Sequence, residues 1–124
     1  MPFSPNARNQ MLDAELATVY VSLHSADPTA THTSALANEI SGGSPAYARK
    51  LVALSSAASG SKSQTATPIV FDIGAGKTLT HVAYWKVASA GAATDYLGSA
   101  ALSTPETFGS QGTYTITAQV FTIS

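Results

Sequence analysis

His24, Asp27, His32 and Glu39 put two imidazoles and two carboxylates within sixteen residues, a nitrogen and oxygen donor set of the kind zinc or manganese accepts. Their spacing matches neither a helical i,i+4 pair nor a tight-turn pair, so no metal site is predicted. His24 is expected to hydrogen-bond at a strand end, Asp27 to cap the Asp27-Pro28 turn and His32 to be solvated. Zero Cys excludes a disulfide framework and every thiolate site. Gly74-Ala75-Gly76-Lys77-Thr78 ends like a phosphate-binding loop. Such a loop needs a Gly five positions before the Gly-Lys pair and a helix after it, but position 71 is Phe and Leu79–Val87 alternates like a strand. A plain hairpin turn is the reading there.

Nucleophile chemistry finds no better footing. The serine-rich loops hold no Gly-x-Ser-x-Gly elbow, Ser110 lies in a Gly-Ser-Gln-Gly turn, and the carboxylates are scattered singly without an acid and base pair. His81, on the same strand face as Trp85, reads as a half-buried sheet residue rather than a base. No catalytic residue and no cofactor is assigned, and the chain is expected not to be an enzyme. Trp85, Tyr84, Tyr20, Tyr47, Tyr96 and Tyr114 could stack on sugars, but strand alternation separates Tyr84 from Trp85, so core and interface packing is the stronger reading. Glu39 and Arg49 flank the Gly42-Gly43 turn and are expected to pair across it, fixing the loop; an exposed pair contributes under about 1 kcal/mol.

The elements that must position these residues follow from periodicity. Ser4-Pro5 reads as N-cap and first helical residue, and the i,i+4 pairs Ala7/Met11 and Leu12/Leu16 predict a short helix over residues 5–16 that must dock to persist. Thr18–Leu23 changes to period two, with Val19, Val21 and Leu23 on one face. Further strands are predicted at Tyr47–Leu54, Pro68–Ile73, Leu79–Val87, Asp95–Leu102 and Thr113–Ile123. In the fourth of these six, Leu79, His81, Ala83 and Trp85 share a face opposite Thr80, Val82 and Tyr84. Residues 29–45 and 55–64 are Ser-, Thr-, Ala- and Gly-rich and read as loops that bury little, the second flexible in isolation. The fold class is all-β, an antiparallel β-sandwich or jelly roll with a short N-terminal helix. Residues 1–17 form an arm and helix, and 18–124 a single sandwich domain.

Only 10% of the chain is Asp, Glu, Lys or Arg, against roughly 25% in an ordinary soluble domain. So neutral and hydroxyl-rich a surface suits a subunit whose neighbours cover it. The net charge of −1 supplies no electrostatic footprint for nucleic acid or anionic lipid, and no apolar run approaches the length of a membrane span. A symmetric homo-oligomer is expected.

Three segments together carry a resemblance. They are Val19-Tyr20-Val21-Ser22-Leu23-His24-Ser25-Ala26-Asp27-Pro28, then Asn38-Glu39-Ile40-Ser41-Gly42-Gly43-Ser44 with Tyr47-Ala48-Arg49, then Thr80-His81-Val82-Ala83-Tyr84-Trp85. In order and spacing the chain, from about residue 10 onward, resembles a family of small tailed-bacteriophage virion proteins described as tail-fibre-like, minor tail or head decoration proteins. Pro45-Ala46 lengthens one link, and Tyr84 stands where Leu is more usual. The resemblance implies a non-enzymatic virion structural protein, assembled in a bacterial host cytoplasm. The leading expectation is a decoration or cement protein bound to the major capsid protein on the outside of the head. The alternative is a minor tail or fibre-base protein that contacts other tail proteins and takes part in host attachment; a small hydrolase or lectin is a third reading. Pro2, Phe3, Met11 and Leu12 are the candidate assembly contacts. His24, Asp27, Glu39, Gly42, Gly43, Arg49, His81 and Trp85 are the candidate structural motif residues.

Overall fold

A computed structural model of the chain describes residues 3–28, 38–65, 67–89, 93–117 and 120–122. Helix α1 (Pro5–Glu15) starts where expected: the Ser4 hydroxyl accepts from the Ala7 N–H at 3.1 Å, and Pro5 opens the helix at a position whose N–H would go unused. Eleven residues do not hold a helix in water, so docking must supply the stability. Two stripes do this. Leu12 and Leu16 enter the main hydrophobic core, and Asn9 and Asp13 bind the segment 57–62.

That segment, expected to be a loop, holds a strand and firm polar contacts. The Ala57 N–H donates to Asp13 Oδ1 at 2.9 Å, the Gly60 N–H to Asn9 Oδ1 at 3.0 Å, and Lys62 Nζ to the same Asp13 oxygen at 2.8 Å. Strand β3 (Ser61–Ser63) forms inside it and pairs with β8 (Val120–Thr122). Low apolar content limits what a segment buries, but it does not register polar partners offered by a distant helix. Leu12 needs a second correction: at 6% exposure it faces the core, so it is no contact for a neighbouring subunit.

The remaining strands are β1 (Val19–His24), β2 (Lys50–Val52), β4 (Ile69–Ile73), β5 (Lys77–Trp85), β6 (Tyr96–Phe108) and β7 (Gly112–Ile116). All pairings are antiparallel: a four-stranded sheet in the order β2-β1-β5-β6, and two-stranded sheets β3-β8 and β4-β7. The all-β sandwich with a short N-terminal helix is the observed architecture. Val19, Val21 and Leu23 from β1, Val52 from β2, Ile69, Phe71 and Ile73 from β4, and Val82 and Tyr84 from β5 meet in its core.

Three strand readings and one turn reading change in detail. The strand expected at 47–54 shrinks to Lys50–Val52. The run 113–123 divides, because β7 pairs with β4 whereas β8 pairs with β3, in a different sheet. For the same reason the Gly74–Gly76 turn is no hairpin: it carries the chain from β4 to β5, which belong to separate sheets. Strand β6 runs past Leu102 through Pro105, which an edge strand tolerates because the missing N–H breaks no ladder bond on its outer side. Between Leu79 and His81 on β5 its partner advances from Glu106 to Ala101, so the register shifts. Leu79 accordingly joins Val82 and Tyr84 in the main core, while Ala83 and Trp85 form a second cluster.

Replacing Leu12 by Ala should lower the unfolding free energy by about 2–4 kcal/mol, as for other buried Leu truncations. Phe3→Ala, at a residue 62% exposed, should change it by less than about 0.5 kcal/mol. Urea denaturation of the two variants measures the difference, and equal midpoints would show that α1 does not belong to the folded core.

Candidate functional site

Strand β1 is central, yet β2 pairs with it only as far as Val21. Beyond that point segment 38–40 takes over its edge: the Ile40 N–H donates to Leu23 O at 3.1 Å, the Ser25 N–H donates to Asn38 O at 3.1 Å, and His24 and Glu39 form an antiparallel bridge. The Leu23 N–H is bound by the Tyr47 hydroxyl at 3.0 Å, and that hydroxyl donates onward to Glu39 Oε2 at 2.8 Å. Two stretches of one long loop thereby close the strand edge, and Glu39 is the knot between them.

Arg49 completes the knot. Its Nε donates to Glu39 Oε2 at 2.9 Å and its Nη2 to Glu39 Oε1 at 2.8 Å, a two-pronged fork on one carboxylate. Nη1 donates to Val87 O at 3.2 Å, and the guanidinium lies 4.3 Å from the centroid of the Trp85 ring. The pair expected across the Gly-Gly turn therefore exists, but buried, with Arg49 and Glu39 side chains 2% and 15% exposed. An estimate made for an exposed pair does not apply to it.

Beneath the guanidinium the indole N–H of Trp85 donates to Ser22 Oγ at 2.9 Å, and Ser22 Oγ lies 2.7 Å from His24 Nε2 and 3.4 Å from Ala83 O. Ser22, His24 and Trp85 are all fully buried. One hydroxyl proton serves this centre, so Ser22 donates toward Ala83 O and accepts from Trp85 and from His24 Nε2–H. That tautomer, assigned from the network, leaves His24 Nδ1 as a bare acceptor, and it has no hydrogen-bond partner. Desolvation pushes the His24 pKa from 6.5 down to about 4; Glu39 opposes the shift, and Arg49 and His81 add to it.

A Ser beside a His within hydrogen-bond reach invites comparison with a nucleophile and its base. Here no carboxylate orients the imidazole, an indole N–H occupies the serine oxygen, and neither side chain meets solvent. The arrangement can hold strands together. It offers a substrate no approach.

The other motif residues serve the same scaffold. Gly42 and Gly43 take φ of +85° and +96°, and a Cβ on Gly43 would lie 2.8 Å from Gln111 Oε1 and 3.0 Å from the Gly74 Cα. The Gln111 amide clamps the turn, accepting from the Ser44 N–H at 3.1 Å and donating to Pro45 O at 3.2 Å. Asp27 presents its backbone carbonyl to Asn38 Nδ2 at 3.2 Å, which ties the two ends of the excursion. Half-buried His81 has Nδ1 2.8 Å from Thr80 Oγ1. Trp85 lies in a cross-strand row, Leu51 beside Tyr20 beside Trp85 beside Tyr96, with the Trp85 and Tyr96 rings 5.0 Å apart. It is core, not a stacking platform.

Glu39, Arg49, His24 and Trp85 thus come together, Gly42 and Gly43 shape the loop that brings them, and His81 sits beside His24 on the neighbouring strand. Among the assembly candidates Phe3 is exposed and Met11 half-buried; Pro2 and the metal candidate His32 lie outside the described residues. Among the described residues no three His, Asp or Glu side chains converge as a metal would require, and no helix is long and apolar enough to cross a membrane. Sequence reasoning missed Ser22, Tyr47 and Gln111. Only Tyr47 carried a signal: it stands two residues before Arg49, so both can reach one side of an extended segment.

Arg49→Leu should cost about 3–5 kcal/mol, because it strands a buried carboxylate. The double variant Arg49→Leu/Glu39→Leu should lose less than the single one in chemical denaturation. Equal or greater loss in the double variant would show that the pair is not the element that matters. The folded-state pKa of His24 lies below its unfolded value of 6.5, so the unfolded chain takes up the proton first. The stability contributed by neutral His24 should be fully present above about pH 6.5 and should be lost as the pH falls toward 4, by up to roughly 3 kcal/mol. His24→Gln should flatten that slope in pH-dependent thermal melts.

Compared with known proteins, the chain matches the family model described as Podophage GP4 fiber I protein gp80 over residues 6–124. No curated protein matches it. The chain belongs to that fiber family, and it is a structural component of a tailed-phage virion.

Proposed function

We propose that this fiber-family protein is a non-enzymatic building block of the tail fibre apparatus, seated at a fibre or its base and held by other tail proteins. The observation that carries this reading is the family match, which spans the whole sandwich and most of α1. The description is of a fibre, and it favours the tail over decoration of the head shell.

The chemistry of the fold supports the structural part of the reading. Its most reactive grouping, Ser22 with His24, is sealed inside the sheet, where it serves the network under Arg49. The surface carries few charges, with 10% of residues ionisable as Asp, Glu, Lys or Arg, which suits contact with neighbours better than free solution. Contacts with tail proteins would then rest on shape and hydroxyl hydrogen bonds rather than on charge pairing.

Electron microscopy of virions labelled with an antibody against this chain tests the placement. Label at the tail is the expected outcome. Label spread over the faces of the head would overturn it in favour of a decoration role, and turnover by the purified protein in an esterase, phosphatase and glycosidase panel would overturn the non-enzymatic assignment.

A further inference from the structure

Fully buried His24 stands in the middle of a row that crosses the sheet. It bridges to Glu39 on one side and pairs with His81 of β5 on the other, and residues directly opposite in antiparallel pairs turn their side chains to the same face. Three ionisable groups are therefore in line, with the Arg49 guanidinium bound to the first of them. Along β1 the imidazole Nε2 meets Ser22, while Nδ1 has no hydrogen-bond partner. A neutral ring tolerates that arrangement. A protonated one brings a second N–H to a point where no acceptor meets it, and adds a positive charge that Arg49 and His81 repel. Glu39 alone favours the charged ring, and its oxygens are already taken by Arg49 and Tyr47.

The two walls of this site differ in strength. Strand β5 is anchored beside β1 in the main core, through Val82 and Tyr84 next to Val19, Val21 and Leu23. Segment 38–40 is held less firmly. Two backbone hydrogen bonds tie it to β1, from the Ile40 N–H to Leu23 O and from the Ser25 N–H to Asn38 O, and Ile40 is its one side chain in the core. The rest of its hold is polar, with Asn38 on the Asp27 carbonyl and Glu39 on Arg49 and Tyr47. Elements with few buried apolar contacts open before the core does.

We propose that His24 is an acid-sensitive latch: when its ring takes up a proton, segment 38–40 lifts from the edge of β1 while the sandwich stays folded. Water then reaches the imidazole, and Leu23 O and the Ser25 N–H lose their partners. The driving force is the hydration that burial denies the charged ring. Desolvation lowers its pKa from 6.5 to about 4 in the closed site, and opening returns it toward 6.5. The closed state binds the proton less well than the open one, so opening gains ground as the pH falls below 6.5. The latch belongs to the scaffold; it goes beyond the fibre reading and does not depend on it.

Hydrogen exchange followed by NMR on the full chain between pH 7 and pH 5 tests it, with protection factors removing the pH dependence of the exchange chemistry. Protection of the Ile40 and Ser25 amides should fall about twentyfold, the factor that pKa values of 6.5 open and about 4 closed give over that range. Amides of the β4–β7 ladder should keep theirs. His24→Gln cannot ionise and should abolish the fall, whereas His81→Gln should leave it in place. Should His24→Gln fail to fold, the wild-type profile and His81→Gln decide. Constant protection of the two amides in the wild type overturns the proposal, and so does an equal fall across β4–β7, which reports global unfolding. A fall that survives His24→Gln, or that His81→Gln removes, assigns the proton to another group and overturns it as well.

Discussion

One buried ion pair governs the centre of this fold. Arg49 is almost wholly removed from water, and a guanidinium cannot shed its charge, so a carboxylate has to meet it. Glu39 is the only carboxylate the described residues bring there, and its two oxygens take Arg49 and Tyr47 together. Once that pairing is fixed, the path of the loop follows. Segment 38–40 must lie along β1, the Gly42-Gly43 turn must reverse the chain tightly against Gly74, and Tyr47 must reach the Leu23 N–H that β2 leaves unpaired.

The pair also explains why both faces of β1 are buried. Its apolar face, Val19, Val21 and Leu23, packs in the main core in the ordinary way. On the other face Ser22 and His24 hydrogen-bond to each other, and Ser22 binds the indole of Trp85, over which Arg49 lies. Polar groups can be buried there because nearly every one has a partner; the bare His24 nitrogen is the exception, on an imidazole whose pKa burial holds down. Helix α1 repeats the logic at the other end of the chain. Asp13 binds Lys62 and the Ala57 N–H, which hold its carboxyl below the usual pKa, and a segment with almost no apolar content becomes a strand.

For a virion protein such internal bonding has a consequence. The ion pairs of the fold lie inside it, as Arg49 with Glu39, or along α1, as Asp13 with Lys62 and Glu15 with Lys86, and the exterior that remains carries few charges, Asp27 and Glu106 among them. Ser22 and His24 are taken up by the scaffold. What is left outside is the shape of the strand edges and an aromatic at the start of α1.

Much of this was legible from residue order alone. Ser4-Pro5 and the Leu12/Leu16 spacing gave the helix, and period-two runs gave β1, β4 and β5. The Glu39–Arg49 pair followed from two opposite charges astride a glycine turn in a chain with few others. These features are local, and local sterics and side-chain periodicity decide them. The burial of that pair, the Ser22–His24–Trp85 contacts, the division of residues 113–123 between two sheets and the register shift beside Leu79 were not legible. Each depends on which distant strand lies alongside, and pairing partners are chosen by how the whole chain closes around its core, a decision that only the tertiary structure makes.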